Sequence, residues 1–439
     1  MRRILLAVLF AAVPLSAQTI DERIDRELPS LIKSYQAFHA APELSMEEQK
    51  TSATVASRLR QLGYDVTERF GKYADPNATC YGVVAVMRNG DGPVVLLRTD
   101  MDALPVLEQT GLPFASTVTA KPVSDDATAG DSPVMHACGH DLHMTALLGT
   151  AKLLADMKSQ WHGTVELIGQ PAEEVVKGAE AMLNAGLYER FPKPAYALAV
   201  HDSATLEAGK VGYAPGFAMA ASDTVAITVR GVSGHGASPQ STKDPIVLAS
   251  QIVLALQTIV SREDNPLDPV VVTVGSIHGG TKSNIIPDEV KLALTVRTYK
   301  PEVRQRVLAS IERIARGTAI AAGLADDRLP IVTVSQGTPA TYNEPALTRR
   351  LATAVAKTVG EKNVVQVDPI MASEDFSRFS LDRTLPAAMI NIGAADPAKV
   401  ASGALLPSLH SSKFAPTPVD LVLRRAIQTE VAMVLELLR

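Results

Sequence analysis

The sequence predicts an α/β protein in two parts: a larger domain with a mostly parallel sheet, interrupted by a smaller ferredoxin-like α/β domain. Three observations predict it. The chain has 439 residues, more than the roughly 250–300 at which one hydrophobic core stops growing. Several apolar runs are short, dense in Val, Ile, Leu and Ala, and separated by helical patterns. The middle of the chain then changes to strict apolar–polar alternation.

At the N-terminus, Arg2 and Arg3 precede the apolar run ILLAVLFAAV, which ends at Pro14, and small residues follow near Ala17. This reads as a cleaved secretory signal within residues 1–19, although Leu15, three residues before a cut after Ala17, is not small. The run is shorter than the ~20 residues of a membrane span. No other segment reads as one, and export to the periplasm or medium is expected. A helical pattern over 47–62 leads to YGVVAVM (81–87) and PVVLLRT (93–99). A helix over 145–157 precedes GTVELIGQ (163–170), and one over 178–185 precedes AYALAV (195–200). Non-alternating runs of this kind are strands buried on both faces, and their alternation with helices argues for a parallel sheet.

In DTVAITVRG (223–231) and EVKLALTVR (289–297), by contrast, every second residue is apolar. Such strands bury one face only. With a helix over 244–262 opened by Pro245, a strand over 270–276, a helix over 302–322 and a strand over 330–334, the order is β-α-β-β-α-β. Residues 217–338 are therefore expected to form a module with a four-stranded antiparallel sheet. The larger domain is made of 20–216 and 339–439. With 46% hydrophobic and 20% charged residues the composition is that of a globular protein. A net charge of −5 and the lack of a basic run leave no footprint for nucleic acid.

Polar residues cluster where the buried runs end, which is where open α/β sheets bind ligands. PVVLLRT leads to Asp100 and Asp102, GTVELIGQ to Glu173 and Glu174, and AYALAV to His201. The densest stretch is MHACGHDLHM (135–144), immediately before a helix, with His136, Cys138, His140 and His143. Cys138 and His140, separated by one glycine, can converge on one ion from a turn. Thiolate and imidazole are both favoured ligands of zinc and similar metals. A closed structural zinc site would want paired cysteines, and Cys80 is the only other one. The residues alone leave two other readings open: Cys138 as the nucleophile of a thiol amidase, and a binding protein without turnover. A Cys80–Cys138 disulfide would exclude the metal reading.

Seven segments in order carry a resemblance: LLRTDMDALP, MHACGHDLHMTALLG, GQPAEE, GHGASPQSTKDPI, TKSNIIPDEV, MASEDFS and LPSLHSSKF. Together they resemble the hippurate hydrolases, N-acyl-amino-acid amidohydrolases and indole-acetyl-amino-acid hydrolases, within the dimetal aminoacylase and carboxypeptidase enzymes. The resemblance implies a zinc-exopeptidase-like catalytic domain and a homodimer formed through residues 217–338. It implies two divalent ions per subunit, zinc or manganese first, with nickel and cobalt also compatible, held by Cys138, His140, Glu174, His201 and His410. It implies hydrolysis of N-acyl amino acids or small peptides by a metal-held water that Glu173 deprotonates. Asp102 is implied to orient a ligand imidazole, and His235 to reach the other subunit's site and steady the oxyanion. Asn284 and Arg297 are implied to grip the substrate carboxylate. The chain departs from the wider pattern twice: Asp100 stands where many relatives have a metal-binding histidine, and no proline follows three residues after His201.

Overall fold

The computed structural model of the protein describes residues 18–122 and 130–439. The expected signal segment up to residue 17, and part of the loop over 121–133, lie outside the described residues. The main helices are α1 (Ile20–Ala40), α2 (Gln49–Gln61), α3 (His140–Asp156), α4 (Gly178–Asn184), α5 (Pro245–Thr258), α6 (Pro301–Ala321), α7 (Pro345–Val359) and α8 (Val419–Leu438). The main strands up to the middle of the chain are β1 (Asp65–Thr67), β2 (Val83–Asn89), β3 (Val94–Asp100), β4 (Gly163–Gln170), β5 (Tyr196–Glu207) and β6 (Val211–Tyr213). They continue with β7 (Ala221–Arg230), β8 (Val270–His278), β9 (Glu289–Thr298), β10 (Ile331–Thr338), β11 (Val364–Gln366) and β12 (Ala387–Ala395).

An eight-stranded sheet has the order β1-β2-β4-β3-β5-β12-β6-β11. Its four central strands, β4, β3, β5 and β12, run parallel. Antiparallel pairs flank them: β2 against β4 on one side and β6 against β12 on the other. The parallel centre follows from the non-alternating runs, because β4 is buried along its whole length. One face is covered by α1, α3 and α8, whose Leu31, Leu147 and Ile427 join Leu97 and Val165 of the sheet in one core. The other face packs Met182, Leu187, Phe376 and Phe379 against Leu96 and Ile168. The carboxyl ends of β3 and β4 consequently open on one rim, with the start of α3 beside them.

A second sheet has the order β8-β9-β7-β10 and is antiparallel throughout. The alternation read from the sequence is its packing pattern. Val225, Ile227 and Val229 of β7 and Val290, Leu292, Leu294 and Val296 of β9 are buried under α5 and α6. The stretch Pro245–Glu263, containing α5, is long and apolar enough by composition to cross a membrane, contrary to the expectation that no segment beyond the N-terminus is. Here it lays Leu248, Ile252, Leu256 and Ile259 on that sheet.

Two boundaries differ from expectation, and both matter for the site. The helix expected from residue 145 begins at His140, so His140 and His143 lie on its first turn. Gly139 makes this early start possible: its φ of 77° is left-handed, and a Cβ there would fall onto the Asp202 carboxylate. The strand expected to end at 200 runs on to Glu207, so His201 lies inside it, opposite Asn391 of β12. Ala204, three residues on, lies in the same strand, where a proline would remove a ladder hydrogen bond.

Candidate metal centre

The predicted ligands arrive from five parts of the chain. Cys138 and His140 flank Gly139 at the start of α3, Glu174 follows β4 by four residues, His201 projects from β5, and His410 comes from the segment before α8. The backbone of His410 is left-handed, with φ 64°, and its N–H donates to Ala137 O at 2.8 Å, tying that segment to the Cys138 loop. Potential ligand atoms of Cys138, Glu174 and His410 lie within 4.8 Å of one another, and so do those of His140, Glu173 and Glu174. A further group of this kind is Asp100, His140, His143 and His201. Glu174 joins the first two: one carboxylate oxygen is 3.3 Å from His410 Nε2 and the other 3.8 Å from His140 Nε2. Cys138 Sγ is 3.7 Å from His201 Nε2. The five side chains thus surround one space as two adjoining sets.

Hydrogen bonds fix which ring nitrogen each histidine offers. His140 Nδ1 lies 2.7 Å from the main-chain oxygen of Asp102, and His201 Nδ1 lies 2.7 Å from that of Asp202. A carbonyl only accepts, so both Nδ1 atoms carry a proton and both Nε2 atoms are left to face the shared space. The nearer Asp102 carboxylate oxygen is 3.4 Å from His140 Nδ1. The imidazole of His140 is therefore oriented chiefly by the Asp102 backbone. The Asp102 carboxylate instead accepts from Ser45 Oγ at 2.5 Å and from the Glu174 N–H at 3.0 Å.

The electrostatics are those of a cation site. Burial and the Glu174 and Glu173 carboxylates push the Cys138 thiol well up. Burial together with Glu374 and Glu174 pushes Glu173 well up, and burial with Asp102 raises Glu174 to about 8. Burial keeps His201 and His410 neutral by lowering their pKa, reinforced by neighbouring histidines. For His140 burial also opposes the charged form, but the Asp100 and Asp102 carboxylates outweigh it and raise the pKa well above normal. His140 Nε2 and one Glu174 oxygen are buried without a hydrogen-bond partner. Such atoms are costly unless a ligand engages them. Crowded carboxyls, a suppressed thiolate, the neutral imidazoles of His201 and His410 and the unpartnered Nε2 of His140, gathered around one space, fit two divalent cations, which would displace the protons these groups hold.

Several residues that shape the site received no role from the sequence reading. Arg98, in the middle of an apolar run, is almost completely buried and bonds Asp100 at 2.7 Å, Glu374 at 2.8 Å and the Gln170 side chain at 2.9 Å. His143 Nδ1 holds the other Asp100 oxygen at 2.7 Å. Both Asp100 oxygens are thus engaged in ion pairs, and Asp100 serves to anchor Arg98 and His143. Asp375 takes hydrogen bonds from Gln170 at 2.6 Å and from the Ala179 N–H at 3.1 Å. The signal available was the charge inside VVLLRT, since a buried arginine demands carboxylate partners.

A pocket of about 800 Å³ opens on these side chains. Cys138, Glu173, Glu174, His201 and His410 line one end, and Ser222, Arg297 and Ser373 line another part. Arg297 Nη1 donates to Ser373 Oγ. His235 and Asn284 are not among its lining residues. They are exposed neighbours on the second module, where Gly236 N–H donates to Asn284 O at 2.9 Å. Cys80 and Cys138 are both free thiols.

Fold and site together define a metal-dependent hydrolase. Residues 96–413 match peptidase family M20/M25/M40, and the chain belongs to that family. It is 37% identical over 344 residues to the hippurate hydrolase of Campylobacter jejuni, spanning 78% of this chain and 82% of that protein. It is 35% identical over 387 residues to thermostable carboxypeptidase 1 of Saccharolobus solfataricus, spanning 88% and 90%. Among solved structures it is similar to the YXEP protein of Bacillus subtilis, described as a dinuclear metal binding peptidase from the M20 family. The TM-score is 0.73 at 27% identity, covering 94% of this chain and 100% of that one. The protein is therefore a metallopeptidase or amidohydrolase.

Proposed function

We propose that the protein is exported and hydrolyses the amide bond of N-acyl amino acids or small peptides. In this reading Cys138, His140, Glu174, His201 and His410 hold two divalent ions, zinc or manganese. The observation that carries it is the grouping of these five side chains in adjoining sets, four of them lining one pocket, with His140 Nε2 and a Glu174 oxygen lacking a hydrogen-bond partner among the described residues. Ions bound there polarise the amide carbonyl and make water easier to deprotonate. Glu173, which lines the same pocket, takes the proton of the attacking water as the C–O bond forms. It then passes that proton to the amide nitrogen as the C–N bond breaks, because an unprotonated amine anion is a poor leaving group. Its crowded, buried carboxyl suits it to hold a proton between the two steps. Arg297 lines the pocket and offers a forked donor to the substrate carboxylate, with Asn284 assigned to the same task from the partner subunit. His235 steadies the oxyanion from there.

The raised pKa of Cys138 tells against a thiol nucleophile, since burial and the Glu174 and Glu173 carboxylates beside it disfavour the thiolate. Elemental analysis of the purified protein, joined to a panel of acetyl-, benzoyl- and peptidyl-amino acids before and after chelator dialysis, tests the proposal. Two metal equivalents and activity lost with them are expected. Activity that survives complete metal removal but not thiol alkylation would overturn it.

A further inference from the structure

The turn that carries Glu173 and Glu174 is built against backbone preference. Ala172 has φ 52° and Val176 φ 57°, both left-handed, a conformation costing on the order of 1–2 kcal/mol for a residue with a Cβ. The Ala172 carbonyl closes the turn by accepting from Lys177 N at 3.1 Å and Gly178 N at 3.2 Å. Its N–H finds an acceptor 124 positions earlier, Glu48 Oε1 at 2.8 Å. The same oxygen accepts from the Met46 N–H at 2.8 Å, and Met46 is itself left-handed, with φ 70°. One carboxyl oxygen thus fastens two unfavourable backbone conformations from opposite sides.

Glu48 has no other assignment. It precedes α2, yet its side chain makes no cap hydrogen bond to that helix. It is completely buried, and its second oxygen has no hydrogen-bond partner among the described residues. Two residues further along the turn, the Glu174 N–H is held by Asp102, whose carboxylate is in turn bonded by Ser45. The segment from Ser45 to Glu48 therefore braces the Glu173–Glu174 turn at two successive points, one directly and one through Asp102.

We propose that Glu48 is a positioning residue. Its carboxyl oxygen sets the Ala172 kink and so fixes where Glu173 and Glu174 stand relative to Cys138, His140 and His410. The inference rests on the reading of Glu173 as the proton carrier. A shift of about 1 Å in such a group costs up to ~100-fold in rate, whereas substrate contacts elsewhere in the pocket stay in place.

Glu48→Asp withdraws the oxygen by one methylene, and Glu48→Gln keeps an acceptor at the same reach. Four measurements decide the matter: kcat and KM on the best substrate of the panel, metal content, thermal midpoint, and hydrogen–deuterium exchange of the peptide spanning 171–178. Glu48→Asp is expected to lower kcat at least ~10-fold with KM nearly unchanged, and to speed exchange in that peptide at temperatures far below its midpoint. Glu48→Gln is expected to restore slow exchange and most of kcat. Parental exchange and kcat in folded Glu48→Asp, or equal damage in Glu48→Gln, overturns the proposal. The exchange result stands whether or not the parent cleaves any substrate tried, so failure of the functional reading is separable from failure of this one.

Discussion

Glu166 lies in the middle of β4, completely buried, and neither of its carboxylate oxygens has a hydrogen-bond partner among the described residues. Burial pushes its pKa up to about 8, against a small opposing pull from Arg88. The sign of the resulting pH dependence is fixed. Below the unfolded value near 4.5 both states are protonated and the penalty vanishes. Between 4.5 and about 8 the unfolded chain releases the proton that the folded chain keeps, so stability falls as pH rises. At about 1.4 kcal/mol per unit the loss is several kcal/mol at most. Glu166→Met fills the same space without a charge, and its gain in thermal midpoint over the parent is expected to be larger at pH 8 than at pH 5. A gain that is equal at both pH values would show that Glu166 is solvated. Glu173 and Glu174 are also raised by burial, but they open on a pocket where a cation and a substrate can use the effect. Identical chemistry is a liability in the strand and a device at its end.

Glu174 and His201 were legible because each belongs to an apolar run that announces a buried strand, and strand ends in parallel sheets make binding sites. Cys138 and His140 were legible from density alone. The supports were not. Arg98 gains meaning only when the turn at Glu374 and Asp375, 276 positions away, folds against it. Glu48 looks like any acidic residue before a helix until Ala172 docks on it. The start of α3 was misplaced because its first turn is polar and buried: His140, Asp141 and His143 face partners in other elements, and a hydrophobic period has nothing to register there. The long α8 is buried nearly all round, including Gln428, Thr429 and Glu430, which blurs the one-sided pattern that marks a surface helix. The misplaced boundary yields a prediction for the element. Gly139→Ala forces a Cβ into a left-handed residue and onto the Asp202 carboxylate, at a backbone cost of about 1–2 kcal/mol. Because Cys138 and His140 flank it, metal content and thermal midpoint are expected to fall together. An alanine variant that binds metal like the parent would remove Gly139 from the site's architecture.

At the scale of the whole molecule the two sheets divide the labour unequally. The large sheet brings together the ligand side chains, while the module over 217–338 holds His235, Asn284 and Arg297. Of these only Arg297 lines the pocket of its own chain. The module also leaves Val247 and Leu254 of α5 and Ile277 of β8 exposed, and β8 is a free edge of its sheet. An apolar helix face beside an unpaired strand is what a second copy can cover, and in a two-fold dimer each chain lends the other the same groups. In the homodimer we propose, His235, and with it Asn284, would be supplied across the interface. His235→Ala is expected to retain its metal and its dimeric mass while losing kcat by about 100-fold or more, the scale of an oxyanion donor. Glu173→Ala is expected to be equally inactive and equally metallated. When the two inactive chains are unfolded, mixed in equal amounts and refolded, half the dimers are heterodimers. In each of these, one of the two sites pairs an intact Glu173 with an intact His235 of the partner subunit. Activity should then return to about a quarter of the parental value. Heterodimers confirmed by mass that remain inactive would show that each subunit completes its own site.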